Sequence, residues 1–246
     1  MKAINVFHVL WSGKSGGMER FVLDVVIHSD KNQFRHHVCF LSDGGWIDDA
    51  IAQSGSQVYL LGMKSGASLR RVIGLFFLIR KVMPDIIHNH IRNYFANSIV
   101  MFFKIPKVYF EHGGNLLGRN PGRTKLFYRL FSRKYDLILV NSEYVKETVT
   151  LAGGISADKI KVFNCGIDSH KFTNQYSQVA LKDKFGIPKT NKVVGMVGRL
   201  VEQKGVDDFI RVAYELQGIR DDCSFIVVGD GPLRRISSRL PALPAD

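Results

Sequence analysis

Cysteine is scarce in this 246-residue chain, and its three copies, Cys39, Cys165 and Cys223, lie far apart. An odd, scattered set excludes a disulfide-framed scaffold and a cysteine-rich zinc site, and it suits a reducing compartment. Long apolar runs are also missing. The longest, residues 72–79, is closed off by Arg70-Arg71 and Arg80-Lys81, far short of the roughly 20 residues a bilayer takes. Met1-Lys2-Ala3 leads at once into a strand-like segment, without the anatomy of a secretory signal. A cytoplasmic, soluble protein is expected.

Acids are the most unevenly distributed shortage. Residues 50–135 contain 14 Lys and Arg but only two acids, Asp85 and Glu111. Over the whole chain 34 basic residues face 22 acidic ones, a formal charge of +12. Residues 175–246 carry 11 basic and 9 acidic side chains, so residues 1–174 carry 23 and 13. A field of this sign points to an anionic partner. Nucleic acid is not that partner by sequence, because no paired Cys/His finger, basic zipper or aromatic-glycine stacking signature is present. An anionic membrane surface is a candidate. Residues 123–134 put Leu126, Phe127, Leu130 and Phe131 at helical spacing among Arg123, Lys125, Arg129, Arg133 and Lys134. Each such cation adds roughly 1 kcal/mol near anionic lipid. The same stripe also suits an ordinary helix packing on a sheet.

What is present has globular proportions: 46% hydrophobic and 23% charged residues. Runs rich in Ile, Val and Phe at 4–10, 37–41, 57–61, 85–90, 107–111, 137–140 and 159–163 read as strands. Helical periodicity fills the gaps near 17–28, 47–54, 68–83, 93–103, 123–134 and 142–152, with Ser142 as a cap and Gly153-Gly154 as a stop. Apolar strands alternating with helices predict an α/β fold with a parallel sheet covered on both faces. A second cycle follows: strand 191–197, helix 206–217, strand 224–228. The expected division is an N-terminal Rossmann-like domain over 1–170, a connection over 171–190, and a partial second Rossmann-like domain over 191–246. Two strands cannot supply both faces of a doubly wound sheet, so the chain reads as cut short.

Several strand-to-helix loops carry candidate chemistry. After the first strand comes Trp11-Ser12-Gly13-Lys14-Ser15-Gly16-Gly17-Met18-Glu19-Arg20. Its glycines allow close backbone approach, and a helix start favours phosphate. A tight turn is the plainer alternative. Gly13-Lys14-Ser15 resembles the end of a P-loop, but His8 stands where that motif needs glycine. His88 and His90, two apart on a strand, share a face and could hold a metal; spacing supplies no third ligand. His112 sits before Gly113-Gly114 at a strand's carboxyl end, where open α/β sheets bind ligands; a capping or merely exposed histidine is the alternative. In the second cycle Arg199 and Lys204 flank a loop at a helix start and could hold a diphosphate or belong to an ordinary solvated loop, and Val228-Gly229-Asp230-Gly231-Pro232 forms a turn.

In order and spacing these pieces resemble retaining, nucleotide-sugar-dependent glycosyltransferases of family 4, which have the two-Rossmann GT-B fold. The resemblance rests on Gly16-Gly17-Met18-Glu19-Arg20, Asp85-Ile86-Ile87-His88-Asn89-His90 and Val140-Asn141-Ser142. It continues through Val162-Phe163-Asn164-Cys165-Gly166-Ile167-Asp168, Gly198-Arg199-Leu200 with Lys204-Gly205, and Val228-Gly229-Asp230-Gly231-Pro232. It implies a nucleotide-diphosphate-sugar donor whose diphosphate lies against Gly16, Gly17, Arg199 and Lys204, with His112 beside the donor sugar. Glu19, Asn164, Gly166, Gly229 and Gly231 fall elsewhere in the donor and acceptor cleft. It implies transfer to an acceptor hydroxyl and no metal cofactor; the 14-to-2 excess of cations over acids in residues 50–135 suits a glycan or lipid-linked acceptor of surface polysaccharide biosynthesis at the inner face of the membrane. The family's two glutamates, eight positions apart, find no match before the sequence ends. The implied enzyme is therefore impaired; a non-catalytic module binding acceptor, partner or anionic membrane is the alternative.

Overall fold

Strands form where β-branched and aromatic residues run together, and helices where apolar residues recur on one side. The computed structural model describes residues 2–14, 16–64, 69–113, 121–172 and 177–234. They divide into two compact units, Met1–Ile167 and Asp168–Asp246.

The first unit alternates β1 (Ile4–Leu10), α1 (Gly17–His28), β2 (Phe34–Phe40), α2 (Trp46–Gln53), β3 (Gln57–Leu60), α3 (Leu69–Val82) and β4 (Ile86–Asn89). It continues with α4 (Tyr94–Met101), β5 (Lys107–Glu111), α5 (Pro121–Phe131), β6 (Leu137–Val140), α6 (Glu143–Gly153) and β7 (Ile160–Val162). The seven strands form one sheet in the order β3-β2-β1-β4-β5-β6-β7, and every pairing is parallel. Parallel neighbours need crossover connections, which the helices supply. One face packs Leu10, Val38 and Phe40 against Val22, Leu23 and Val26 of α1. The other packs Phe7, Val9 and Ile87 against Leu75, Ile79 and Val100 of α3 and α4. The chain enters at β1, fills one side through β2 and β3, then returns to place β4 on the other. In open α/β sheets the carboxyl ends of the strands at such a reversal, here β1 and β4, are where ligands bind.

Local signals behave as their chemistry dictates. Ser142 accepts a hydrogen bond from the Val145 amide at 3.3 Å, and Gly154, at φ 57°, ends α6. β2 begins at Phe34, earlier than the expected residue 37. Arg35-His36-His37 has no apolar run to announce a strand; pairing with β1 imposes one. In α5 the apolar stripe divides: Phe127, Tyr128 and Phe131 are buried, whereas Leu126 and Leu130 are 48% and 49% exposed. The aromatic half is core and the leucine half is surface.

The second unit contains α7 (Gln178–Lys184), β8 (Lys192–Val197), α8 (Val206–Gln217) and β9 (Cys223–Val228), with β8 and β9 parallel. Helix α7 lies inside the stretch 171–190 expected as a connection. Leu200, Val206 and Ile210 form a small core. Val193, Val194 and Val197 of β8 are exposed, unlike strands of a sheet covered on both sides.

Candidate functional site

The carboxyl ends of β1, β4 and β5 carry the polar groups of the first unit. After β1 the chain turns at Gly13, whose amide donates to the Asp43 carbonyl at 3.0 Å. A side chain at Gly13 would collide with Asp48 and the Gly45 backbone, so this glycine is required by packing. Gly16 is the N-cap of α1 with extended backbone and no side-chain cap. The Glu19 carboxylate lies over it, where a methyl group on Gly16 would come within 2.2 Å of an oxygen. Gly17 has open space where a side chain would be, so the backbone there is accessible. Ser15 and Gly114 lie outside the described residues.

The end of β5 is fixed from several sides. The Asn141 amide donates to the His112 carbonyl at 2.8 Å. Gly113 turns the chain at φ 78°, with Asn141 and Val145 packed where a side chain would go. Asn141, noted in the sequence only as part of a motif, thus holds the backbone of His112. Glu111 points to the opposite face from His112. It accepts from Tyr109 Oη at 3.1 Å and from Tyr128 Oη, and pairs with Arg92 Nε at 3.5 Å. Burial raises the Glu111 pKa while Arg92 opposes the rise. At the end of β4, Asn89 donates to Asn97 Oδ1 at 2.9 Å and Tyr135 Oη at 2.6 Å, tying β4 to α4.

Between these strand ends runs a row of imidazoles beneath α1. His36 Nε2 meets Ser29 Oγ at 2.8 Å, and His36 Nδ1 meets His8 Nε2 at 2.9 Å. His8 Nδ1 meets His90 Nε2 at 3.2 Å, and His90 Nδ1 meets His112 Nε2 at 3.0 Å. The row crosses β2, β1, β4 and β5, climbing from mid-strand to the carboxyl edge. Burial, its dominant cause, pushes the pKa of His8 and His90 well below the ordinary value and holds His36 and His112 at about 4. His88 is pushed down to about 3 by burial and the neighbouring imidazoles. It stacks beside the row, 4.1 Å from the His90 ring centre, and its buried Nε2 has no hydrogen-bond partner among the described residues. Phe21 of α1 covers the end of the row, with ring centres 5.4 Å from His112, 4.9 Å from Phe110 and 5.9 Å from Phe163.

So the structure sets Phe21 of α1 against His112, with Phe163, the neighbour of Asn164, on the same aromatic. Asn164 and Gly166 themselves lie in an exposed loop after β7. His8, His36, Phe21 and Phe163 are the residues the sequence did not single out for this site. The one available signal was the histidine that spoils the P-loop pattern.

In the second unit, Arg199 and Lys204 are both exposed on the segment between β8 and α8. Lys204 runs alongside Gly198, its Cδ 4.0 Å from where a side chain would start. Gly205, at φ 66°, joins this segment to α8. Gly229 and Gly231 support the loop from beneath. A side-chain carbon would come within 1.8 Å of the Gly198 carbonyl oxygen from Gly229, and within 2.4 Å of that of Leu200 from Gly231. The Leu200 amide donates to the Asp230 carbonyl at 2.9 Å. These glycines allow two backbones to touch, which fixes the segment that carries Arg199.

Known proteins match both units. The model of Glycosyltransferase Family 4 matches residues 15–171, and that of Glycosyl transferases group 1 matches residues 177–240. TuaC of Bacillus subtilis strain 168, a candidate glycosyltransferase of teichuronic acid biosynthesis, is 24% identical over 162 residues, 63% of this chain and 40% of that protein. HepE of Anabaena, solved with UDP and glucose, is similar at a TM-score of 0.75 and 20% identity over 96% of this chain and 64% of that one. The UDP-GlcNAc 2-epimerase of Neisseria meningitidis, bound to UDP-GlcNAc, is similar at a TM-score of 0.62 and 19% identity over 91% of this chain and 65% of that one. Likeness at this identity establishes the fold, and an epimerase among the neighbours shows that the fold alone does not choose the reaction. The chain spans 40% of TuaC and 64% of HepE.

Proposed function

The chain belongs to glycosyltransferase family 4, and from that premise we propose that it serves the transfer of a sugar, with retention, from a nucleotide-diphosphate sugar to a glycan or lipid-linked acceptor. The observation that carries the reading is the Arg199–Lys204 segment. Two exposed cations stand on one short loop, braced by backbone contacts that only Gly229 and Gly231 permit. Cations held in fixed positions stabilise negative charge that develops on a leaving diphosphate, the part a metal ion plays in other transferases. His112, half-buried at the end of β5, serves the donor sugar, and Gly17 offers open backbone to the donor or acceptor. UDP in the HepE complex supports a nucleotide-sugar donor, and the name of TuaC supports a polysaccharide acceptor.

On the acceptor side, Lys125, Leu126, Arg129 and Arg133 of α5 and the segment after it line one groove with Gly153 and Gly154. Exposed leucines among cations suit an anionic lipid surface. No helix among the described residues is long and apolar enough to cross a membrane, so the contact proposed is peripheral, at the cytoplasmic face. The test of the transfer reading is donor turnover by the 246-residue chain, with UDP-glucose as the first probe, beside UDP binding by calorimetry. Turnover lost on Arg199→Ala supports it. Binding of neither UDP nor any other nucleoside diphosphate refutes it, and binding without turnover favours a non-catalytic module.

A further inference from the structure

We propose that the buried histidine row, anchored at Ser29, holds His112 as the tautomer that carries its proton on Nε2 and leaves Nδ1 as an acceptor. The inference builds on the reading of His112 as a donor-sugar residue, but its content is the location of a proton, which is measured separately. A neutral imidazole has one N–H donor and one acceptor nitrogen. Each contact in the row needs one donor and one acceptor, so a single orientation must run its whole length.

Ser29 sets that orientation. Its hydroxyl donates to the Val26 carbonyl at 3.2 Å, so its oxygen is free to accept from His36 Nε2–H. His36 Nδ1 is then an acceptor and takes the proton of His8 Nε2. His8 Nδ1 accepts from His90 Nε2, and His90 Nδ1 accepts from His112 Nε2. The outer nitrogen of His112 is left with a lone pair, suited to accept from a sugar hydroxyl. Burial keeps every ring neutral, which the pattern requires, since a cationic ring would donate from both nitrogens. His90, His8, His36 and Ser29 are thus positioning residues acting through His112.

A metal ion is the competing use of the same atoms. His8, His88 and His90 each offer a nitrogen, all within 4.8 Å of one another. Nitrogens around tetrahedral zinc stand roughly 3.3 Å apart, close to the 3.2 Å between His8 Nδ1 and His90 Nε2. Those two nitrogens are the middle link of the row, however, and the set contains no carboxylate to balance a dication in a strongly basic unit. Metal binding and an unbroken row exclude each other, so one experiment separates them.

That experiment is NMR of the whole chain with 15N-labelled histidine at neutral pH, where protonated and unprotonated ring nitrogens resonate far apart. The expected result is one tautomer at His112, protonated on Nε2. His8→Phe, which cuts the row, and Ser29→Ala, which keeps all the rings and releases the anchor, should each convert that pattern to an average of both tautomers. An Nδ1–H pattern in the unaltered chain, or an unchanged pattern in either variant, overturns the proposal. So does uptake of one equivalent of zinc that moves the His8, His88 and His90 signals together. The transfer reading fails differently. If the tautomer is as stated and His112→Ala still transfers sugar at full rate in a relative with a longer donor-side unit, the role given to His112 falls and the row stands.

Discussion

Arg199 is the side chain on which the proposed chemistry turns most directly. Removing one charge-stabilising donor from a transfer site lowers turnover by about 10²-fold or more. The change matching Arg199→Ala, compared with that matching Arg199→Lys, in a relative with a longer donor-side unit should show that loss in kcat with the fold intact by circular dichroism. Gly229 supports the same loop through packing, so Gly229→Ala should destabilise the second unit by roughly 1–3 kcal/mol, read as a lower denaturant midpoint. The histidine row gives a pH signature. Above about pH 6.5 the imidazoles are neutral in both the folded and unfolded chain and contribute no pH dependence. Below that, the unfolded chain takes up protons that the folded one refuses until about 4 for His36 and His112 and about 3 for His88. Stability should therefore fall as pH drops from 6.5 toward 4, with uptake of more than one proton on unfolding. Glu111 works in the opposite direction, because its raised value favours the folded state in acid, but it is one group against five. Urea midpoints at several pH values check this, and a flat profile would contradict the burial of the row.

At the scale of elements, α5 separates packing from surface function. Phe127 is 2% exposed and stacks edge-on against Tyr94, so Phe127→Ala should cost about 3–5 kcal/mol. Leu130 is half exposed, so Leu130→Glu should change stability by no more than about 0.5 kcal/mol yet weaken sedimentation with anionic vesicles. Equal sedimentation of both proteins with neutral and anionic vesicles would remove the membrane reading of this helix. The element also shows where sequence patterns stop. Its spacing marked an apolar stripe but could not say which half meets the sheet, because Phe127, Phe131, Leu126 and Leu130 are equally apolar. β2 shows the converse: its polar start is invisible to periodicity and becomes strand only through its register with β1.

At the scale of the whole molecule, the charge is a property of sequence and its consequence is long-ranged. A chain carrying +12 should bind anionic vesicles less well as salt rises, since the screening length shrinks from about 10 Å at 0.1 M to about 3 Å at 1 M. Strand and helix positions, parallel pairing and strand-end loops follow from alternating apolar runs and helical periods, which local chemistry writes directly into the chain. The motifs placed His112, Arg199, Lys204 and the glycines at those ends for the same reason: each belongs to a turn with its own local signature. The tertiary structure alone decided that His8, His36, His90 and His112 form one hydrogen-bonded row, and that Asn141 holds the backbone of His112. Those residues come from separate strands 22 to 82 positions apart. Their meeting depends on sheet order and register, which no local pattern encodes.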